Sequence, residues 1–461
     1  MWLTDLDNHR LLTLALPRCR TFARAERSPS NSKECSVQSR ISSRLSNIRS
    51  VRRRALTAVA TLAFGALALT ACASPTASAQ GSGYADWSAV QKAAQGQTVN
   101  LWMWGGDDQG NAYIDDTLAP AVAKQGVTLK RVPIADTKDA LNRVLTELQA
   151  GRNTGGAVDL VWINGDNFRT GKQANAWLCG WTSLLPNMKF VSATDPLLNE
   201  DFGTPVDGCE APWHKAQFSF AYNSDLVKNP PHTIAGILDW AQAHPGRFTY
   251  PAPPDFTGSA FLREVLYSVN GGYKNVPSLY SKDAFNTKSP ALYERLEKLA
   301  PSLWRDGTTY PATSEQLNKL YADGQIDMTM TYGPATLTAL VENGTFPAAT
   351  KVLTVDDGTL GNASFLGIPA NAAHRAGAMV VANVALSINQ QLAKADPKVW
   401  GQFTVLNLDS LPDADRARFD ALPTSPVVPS FDVLSRNANP ELSADWVPAL
   451  DDGWRTKVAS Q

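Results

Sequence analysis

The order of apolar and polar residues predicts a chain built from alternating strands and helices. Residues 98–104 (TVNLWMW) alternate with a period of two, which predicts a strand, and residues 158–163 (VDLVWI) form an apolar run typical of a buried strand. Between them, residues 137–150 carry apolar side chains at helical spacing. Because strands that alternate with helices form βαβ units, this part of the chain predicts a parallel sheet covered by helices.

The same two periods continue along most of the chain. They predict strands over 98–104, 127–132, 158–163, 217–222, 247–250, 326–331 and 365–368. They predict helices over 84–94, 111–124, 137–150, 167–176, 233–244, 258–269, 314–323, 375–388 and 446–458. Beyond Trp400 the pattern is irregular until the last helix. The predicted fold class is therefore α/β throughout.

A short apolar segment near the N-terminal end predicts export. Three arginines at 52–54 precede an apolar run over 55–69, and the sequence Leu-Thr-Ala-Cys ends at Cys72. A basic cluster, a short apolar run and small residues make a secretory signal, and this run is shorter than the roughly 20 residues of a membrane span. The ending resembles a bacterial lipobox, whose cysteine receives a diacylglycerol. The alternatives are an ordinary secretory signal and a membrane anchor.

The residues around this segment fit the same interpretation. Residues 51–71 are predicted to be a lipoprotein signal peptide, and residues 72–83, which are small and polar, a flexible linker. Residues 1–50 are rich in Arg and Ser and would place the signal internally. We expect them to be untranslated, with the start at Val51, or to form a disordered extension. The protein is thus predicted to be extracytoplasmic and lipid-anchored to the cell membrane.

The charge balance changes when the signal is removed. Residues 1–71 hold 12 of the 42 basic and 4 of the 43 acidic residues, which leaves 30 basic and 39 acidic residues and a net charge of −9. This argues against nucleic acid as a partner, since proteins that bind it carry basic patches. The remaining 390 residues exceed the size at which one core stops growing, so we expect two domains.

Two cysteines, Cys179 and Cys209, remain in the body of the chain. In an exported protein such a pair is usually bridged, so we predict a disulfide, with two separate buried thiols as the alternative. A structural zinc site needs four ligands, and His214 close to Cys209 is a weak signal for one. We therefore predict no metal site.

The sequence lacks the familiar catalytic motifs. It contains no GxSxG, HExxH, CxxC, Walker A or GxGxxG pattern, and the four histidines after residue 71 are scattered. Adjacent carboxylates such as Asp107 and Asp108 do not face each other, which argues against a glycosidase pair. We therefore predict that the protein is not an enzyme and that it needs no cofactor.

Loops rich in Gly, Asn and aromatic residues follow several predicted strands. In open α/β sheets, ligands bind beyond the carboxyl ends of the strands. Aromatic residues in loops often only stabilise a turn by packing. Four such loops, two in each half of the chain, nevertheless indicate a cleft between two lobes. The candidate ligand-binding residues in these loops are Trp104, Gly105, Asn164, Asn167, Tyr250, Thr257, Gly258 and Tyr332.

These candidates have different expected roles. The three aromatic rings would stack on a ligand, and Asn164 and Asn167 would form hydrogen bonds with it. Thr257 is predicted to cap the helix that Gly258 opens, so that free N–H groups would hold an anionic or carbonyl group. An aromatic box in an acidic protein favours an organic cation such as thiamine or a polyamine, whereas a helix N-terminus favours an anion. Both alternatives stay open.

Several longer stretches carry a family resemblance. They are WGGDDQG (104–110), GRNTGGAVDLVWINGDNFRTGKQAN (151–175), RFTYPAPPDFTGSAFL (247–262), PSLWRDG (301–307), GNASFLGIPANA (361–372) and KADPKVWG (394–401). Through them the chain resembles the YnjB-type family of bacterial ABC-transporter solute-binding lipoproteins, within the periplasmic-binding-protein type II superfamily. It departs from the family pattern at Asp166, at His214 and Lys215, and at Gly333. These departures bear on the identity of the ligand more than on the fold.

The resemblance implies a two-lobed fold, in which each lobe is a mixed, mostly parallel sheet flanked by helices and two chain crossings form the hinge. Lobe one would hold residues 84–215 with 366–398, and lobe two residues 223–354. The C-terminal segment, residues 399–461, would pack on lobe two.

The resemblance also implies a function. A monomer would capture a small solute in the cleft by closing around it and would deliver it to a cognate ABC permease and ATPase. The rival hypotheses are an exported hydrolase that acts on the cell wall and a solute-sensing or adhesin lipoprotein.

A first prediction concerns Cys72. The Cys72→Ala variant should lose lipid labelling, because the thiol that would receive the diacylglycerol is gone, and the protein should be released or stay as an uncleaved precursor. Growth with a labelled fatty acid, followed by purification of the protein, measures the incorporation. Incorporation equal to that of the parent protein would contradict the assignment.

Overall fold

The computed structural model describes residues 81–459. The extension over 1–50, the signal peptide over 51–71 and the lipid site at Cys72 lie outside the described residues. These three predictions therefore stay predictions.

Ten strands form three sheets in the described part of the chain. The strands are β1 Thr98–Trp104, β2 Thr128–Ile134, β3 Leu160–Ile163, β4 Glu200–Asp201, β5 Thr204–Pro205, β6 Glu210–Gln217, β7 Ser219–Asn223, β8 Met328–Thr331, β9 Thr350–Val352 and β10 Gly361–Gly367. The five-stranded sheet has the order β2-β1-β3-β10-β6, the three-stranded sheet the order β8-β7-β9, and β4 pairs with β5.

The five-stranded sheet is mixed, as the sequence predicts. Strand β1 runs parallel to both β2 and β3, whereas β10 is antiparallel to β3 and to β6. The carboxyl ends of β1 and β3 therefore lie at the same edge of the sheet, and the loops that begin after Trp104 and Ile163 are neighbours there.

The three-stranded sheet differs from the prediction of a mostly parallel sheet. Strand β7 is antiparallel to both β8 and β9. The strand predicted over 247–250 does not form, because its carbonyl groups make single backbone hydrogen bonds instead of a ladder, with the N–H of Trp304 reaching Phe248 at 2.8 Å and that of Asp327 reaching Arg247 at 2.9 Å. Pro251 follows and has no N–H to donate, which ends the extended segment.

Helices cover the faces of both larger sheets. They are α1 Trp87–Ala94, α2 Asp108–Ala112, α3 Ala119–Ala123, α4 Thr137–Gln149, α5 Gly165–Gln173, α6 Pro196–Asn199, α7 Ile234–Ala243, α8 Phe256–Val269, α9 Lys282–Leu299, α10 Ser314–Ala322, α11 Leu337–Glu342, α12 Arg375–Ala385, α13 Ile388–Ala395, α14 Asp413–Asp420, α15 Phe431–Leu434 and α16 Trp446–Lys457. A π-helical segment, Tyr113–Leu118, joins α2 to α3. The sequence pattern missed the 18-residue helix α9, which carries Pro290 inside it.

Many of these helices begin at a side chain that accepts a hydrogen bond from the first turn. Such caps satisfy N–H groups that have no partner within the helix. They are Asp86 for α1, Asp107 for α2, Asp136 for α4, Asp195 for α6, Thr233 for α7, Asp255 for α8, Ser281 for α9, Thr313 for α10 and Ser387 for α13. Short polar residues thus fix where the helices start.

Two hydrophobic cores form, one around each larger sheet, and we call the surrounding parts of the chain lobe one (the five-stranded sheet) and lobe two (the three-stranded sheet). The chain enters lobe two at Phe218, between β6 and β7, and its N–H donates to the carbonyl of Leu360 at 2.8 Å. It returns between β9 and β10. The bounds that the sequence predicts for the two lobes stay a prediction.

The C-terminal segment crosses between the cores a third time. Trp400 and Val405 belong to the core of lobe one, and Leu406 packs close to Phe190 in a small cluster beside it. The residues from Val427 to Val458 that are buried belong to the core of lobe two. The segment therefore packs on both lobes, and not on lobe two alone. The reason is the ring of Trp400, which is buried in the core of lobe one before the chain crosses to lobe two.

Lobe one contains a disulfide between Cys179 and Cys209, as the sequence predicts. The two cysteines are 30 residues apart, and a backbone hydrogen bond of 3.0 Å from Gly180 to Gly208 closes the same loop. Among residues 81–459, no helix combines the length and the apolar character that a membrane crossing requires.

The disulfide yields a second prediction. Replacing both cysteines by serine should lower the free energy of unfolding by about 3–4 kcal/mol, because the unfolded chain is no longer constrained by a closed loop of this length. Urea unfolding of the two proteins measures the difference. The parent protein in reducing buffer is the control and should match the double variant; equal unfolding midpoints for the variant and the oxidised parent would contradict the prediction.

Candidate functional site at the boundary between the lobes

The loops after β1 and β3 lie at the edge of lobe one that faces lobe two. The first loop turns sharply after Trp104. The N–H of Gly105 donates to the carbonyl of Ile134 at 3.0 Å, and the carbonyl of Gly105 accepts from Nδ2 of Asn111 at 2.9 Å. A side chain at Gly105 would meet Pro133 at 2.7 Å, so the tight turn is available to glycine alone.

Trp104 lies against lobe two. An added Cβ at Gly106 would collide with both the Trp104 ring and Oε1 of Glu315, which means that ring and carboxylate border the same small space. Glu315 belongs to the first turn of α10 in lobe two and is exposed. The ring of Trp104 is half-buried. A carboxylate and an aromatic ring from opposite lobes therefore meet at this point.

Asp107 fixes the remainder of this loop. Its carboxylate accepts hydrogen bonds from the N–H groups of Gln109 and Gly110, both at 3.1 Å, and from Nε1 of Trp400 at 2.6 Å. Burial raises the pKa of Asp107. The ring of Trp400 also stacks on Tyr113 at 5.3 Å. The start of α2 is therefore tied to the C-terminal segment.

The second loop contains the predicted residues Asn164 and Asn167. Asn164 is the cap residue of α5 but makes no capping bond with its side chain, and Asn167 lies in the first turn of that helix. Gly165 between them has a φ of +63°, a conformation that favours glycine. Its N–H donates to both carboxylate oxygens of Asp201 at 2.7 Å.

Asp201 is a buried carboxylate close to lobe two. It is 1% exposed, and burial raises its pKa to about 8, with Glu441 of the C-terminal segment contributing in the same direction. Glu210 lies close by and is also 1% exposed, and neither of its carboxylate oxygens has a hydrogen-bond partner in the described part of the chain. Burial, with Asp201 beside it, raises the pKa of Glu210 well above its usual value.

Phe202, the next residue, forms an apolar contact across the boundary. Its ring lies 6.3 Å from that of Phe256 and 5.4 Å from the guanidinium of Arg263, both in lobe two. Its carbonyl accepts a hydrogen bond of 3.2 Å from the N–H of Ala444. Close to this contact, Nη1 of Arg169 lies 2.8 Å from Oδ1 of Asp445. Lobe one is thus attached both to α8 and to the C-terminal segment.

Behind Phe256 lies a buried ion pair. Nε and Nη2 of Arg263 bond the carboxylate of Glu441 at 2.8 and 3.2 Å, and the two side chains are 1% and 4% exposed. Tyr332 donates its hydroxyl to the same carboxylate, and its ring lies 5.2 Å from Phe256. Burial, with Glu441 adjacent, raises the pKa of Tyr332 well above its usual value, so the phenol stays protonated and donates.

Two predicted site features are placed elsewhere. Tyr250 is fully buried in the core of lobe two, 4.5 Å from the ring of Phe261, and its hydroxyl accepts from Nε1 of Trp454 at 3.0 Å. None of its ring is exposed, so the structure does not support its expected stacking on a solute. The reason is the apolar side of α8, against which the ring packs.

The helix start predicted at Thr257 also differs. Helix α8 begins at Phe256, two residues before the predicted start at Gly258, and its cap is Asp255, which accepts from the N–H of Gly258 at 2.9 Å. The same carboxylate accepts from the N–H of Ser314 at 3.0 Å. The N–H groups expected to hold an anion are therefore at least partly occupied by a carboxylate of the protein itself.

The structure thus brings Trp104, Gly105, Asn164 and Asn167 to the edge of lobe one, and Tyr332 to the facing side of lobe two. Sequence reasoning missed other residues of the boundary, which are Asp201, Phe202, Asp255, Phe256, Arg263, Glu315 and Glu441. For Asp255 a signal existed, because Asp is among the best cap residues and stands three positions before Gly258. Among residues 81–459, no three His, Cys, Asp or Glu side chains are grouped so that they could hold a metal ion.

The buried ion pair yields a third prediction. Glu441→Gln should destabilise the protein by about 3–5 kcal/mol, because it leaves the charge of Arg263 buried without a counter-charge. Urea unfolding measures the loss. The double variant Arg263→Met, Glu441→Leu is the matched control and should lose much less, since no charge remains buried. A single variant as stable as the parent protein would contradict the prediction.

Comparison with known proteins agrees with this architecture. The family model described as bacterial extracellular solute-binding protein matches residues 116–415. Protein YnjB of Escherichia coli (strain K12) is 39% identical over 369 residues, which cover 80% of this chain and 93% of that protein. These matches confirm the resemblance to the YnjB-type family.

Solved structures match in fold at low identity. The spermidine/putrescine ABC transporter substrate-binding protein PotD from Streptococcus pneumoniae has a TM-score of 0.56 at 13% identity, covering 78% of this chain and 98% of that one. An ABC transporter substrate-binding protein from Bradyrhizobium japonicum has a TM-score of 0.55 at 17% identity, covering 78% and 99%. The fold is that of the type II periplasmic binding proteins. The chain belongs to the family of bacterial extracellular solute-binding proteins.

Proposed function

We propose that the protein captures a small solute between its two lobes and delivers it to the permease and ATPase of an ABC importer. The observation that carries the proposal is the meeting of Trp104 from lobe one with Glu315 from lobe two, beyond the carboxyl ends of β1 and β3. This edge is where open α/β sheets bind ligands. The transport role also rests on the relatives, whose descriptions name ABC transporters.

The mechanism would be closure of the lobes around the solute. A solute that touches both lobes favours the state in which they are together, because it has more contacts in that state. The crossings at Phe218 and between β9 and β10 would act as the hinge. Contacts such as Phe202 with Phe256 would form and break as the lobes move.

The charges at the boundary favour a cationic solute. Glu315 makes no ion pair with any described residue and lies beside the Trp104 ring, which can itself attract a cation. The helix start that would hold an anion is capped by Asp255. We therefore propose an organic cation as the solute. An anionic solute is the alternative that the sequence left open.

We further propose that the protein is a monomer without catalytic activity of its own, anchored outside the cytoplasm through lipid at Cys72. The proteins of the matched family are binding proteins. The rival hypotheses, a cell-wall hydrolase and a sensor or adhesin lipoprotein, differ in genetic context: genes for a permease and an ATPase next to this one would favour transport over both.

A fourth prediction concerns the solute. Native mass spectrometry of the purified protein should detect a co-purified small molecule, and titration of that molecule should show about tenfold weaker binding to Trp104→Ala, a loss typical of a hot-spot aromatic ring. The matched control is Trp240→Ala, whose ring stacks on His244 at 4.4 Å in lobe two, away from the boundary contacts. Its affinity should equal that of the parent protein.

Solution scattering should accompany the titration. The radius of gyration should fall when the solute binds, because closure brings the lobes together. Equal affinities for Trp104→Ala and the parent protein would place the site elsewhere. A radius that does not change would show that binding does not require closure.

A further inference from the structure

Two adjoining cavities lie in lobe two, beside the crossing that returns the chain to lobe one. They enclose about 280 Å³ and about 430 Å³, and the smaller is the more enclosed. Volumes of this order suit a small molecule. Their walls come from the start of α7, the second half of α8, residues 356–358 and residues 436–439. The residues that both walls share are Gly271, Gly272, Asp357 and Asn439.

Glu264 belongs to the wall of the smaller cavity and has one oxygen without a hydrogen-bond partner in the described part of the chain. The side chain is fully buried, and its Oε1 accepts from the N–H of Leu360 at 2.7 Å. Its Oε2 has no hydrogen-bond partner in the described part of the chain. A buried polar atom without a partner costs stability, so a donor placed in this cavity would be favoured.

A second carboxylate lies in the same wall. Both oxygens of Asp357 accept from the N–H of Ile234 at 3.2 Å, at the first residue of α7. Burial raises the pKa of both carboxyl groups. Glu441 and, less strongly, Asp357 raise the pKa of Glu264 further, whereas Arg263 lowers it. A positive group in the cavity would favour the ionised form of both carboxyl groups.

The larger cavity carries the opposite charge in part of its wall. Lys274 and Arg436 line it, both are exposed, and neither forms an ion pair with another described residue. Asp356 lines the same cavity, but not close enough to either cation to pair with it. Two unpaired cations beside one opening form a place for a carboxylate.

We propose that these cavities form a second binding site for a small zwitterion of amino-acid type, whose ammonium group meets Glu264 and Asp357 and whose carboxylate meets Lys274 and Arg436. The site is separate from the boundary between the lobes, so it goes beyond the proposed transport function. A metal ion fits less well, because no group of three ligating side chains forms here or elsewhere in residues 81–459.

The test uses L-alanine as the probe, with ethylamine, which lacks its carboxylate, and propionate, which lacks its ammonium group, as its two halves. Titration calorimetry or ligand-observed NMR on the purified protein should show L-alanine binding in the millimolar range, and each half about tenfold more weakly, because it satisfies only one end of the site. The double variant Lys274→Ala, Arg436→Ala should weaken L-alanine binding about tenfold. Because both side chains are exposed, this variant should fold normally.

Matched variants separate this site from others. Glu264→Gln keeps the shape of the inner wall and should also weaken binding. Lys282→Ala, which removes an exposed lysine outside the walls, and Trp104→Ala at the boundary should bind L-alanine like the parent protein. The proposal is overturned if L-alanine does not bind, if the double variant binds it equally well, or if only Trp104→Ala loses it, which would assign the binding to the boundary.

Discussion

The buried ion pair between Arg263 and Glu441 is the interaction on which the arrangement of the lobes depends. It joins α8, the central helix of lobe two, to the C-terminal segment, which then contributes Ala444 and Asp445 to the contact with lobe one. Such pairs add little net stability compared with an apolar replacement, but they are costly to break once formed. The pair therefore acts mainly to hold α8 and the C-terminal segment in one relative position. The hydroxyl of Tyr332 donates to the same carboxylate and restrains the Glu441 side chain further.

If the lobes open and close as proposed, the contact between them has to be weaker than a hydrophobic core. Between the lobes the ring of Phe202 lies against that of Phe256, which remains 42% exposed, whereas the two cores on either side are densely apolar. The boundary otherwise consists of hydrogen bonds and single ion pairs such as Arg169 with Asp445, which water can replace when they separate. This difference in composition is what the proposed closure of the two lobes would require.

The sequence predicted what depends on local order. The alternation over 98–104 and the glycine pair after it placed β1 and its loop correctly, and the helix over 137–149 follows from its own periodicity. Features that depend on distant packing were not predictable in this way. Phe202 and Glu441 carry no local signal, because their importance comes from meeting residues of the other lobe. Tyr250 has the same chemistry as a ligand-stacking ring, and only the packing of Phe261 against it reveals that it is buried.

The third crossing of the chain has a consequence for how the protein can fold during synthesis. The core of lobe one draws on residues from Val90 to Val405, and that of lobe two on residues from Ala216 to Val458. Neither core is complete until the chain has been made almost to its end, although domains of many proteins fold one after another as they emerge. Here the two lobes would mature nearly together, and a truncation before Trp446 would leave the core of lobe two open while lobe one keeps all its parts.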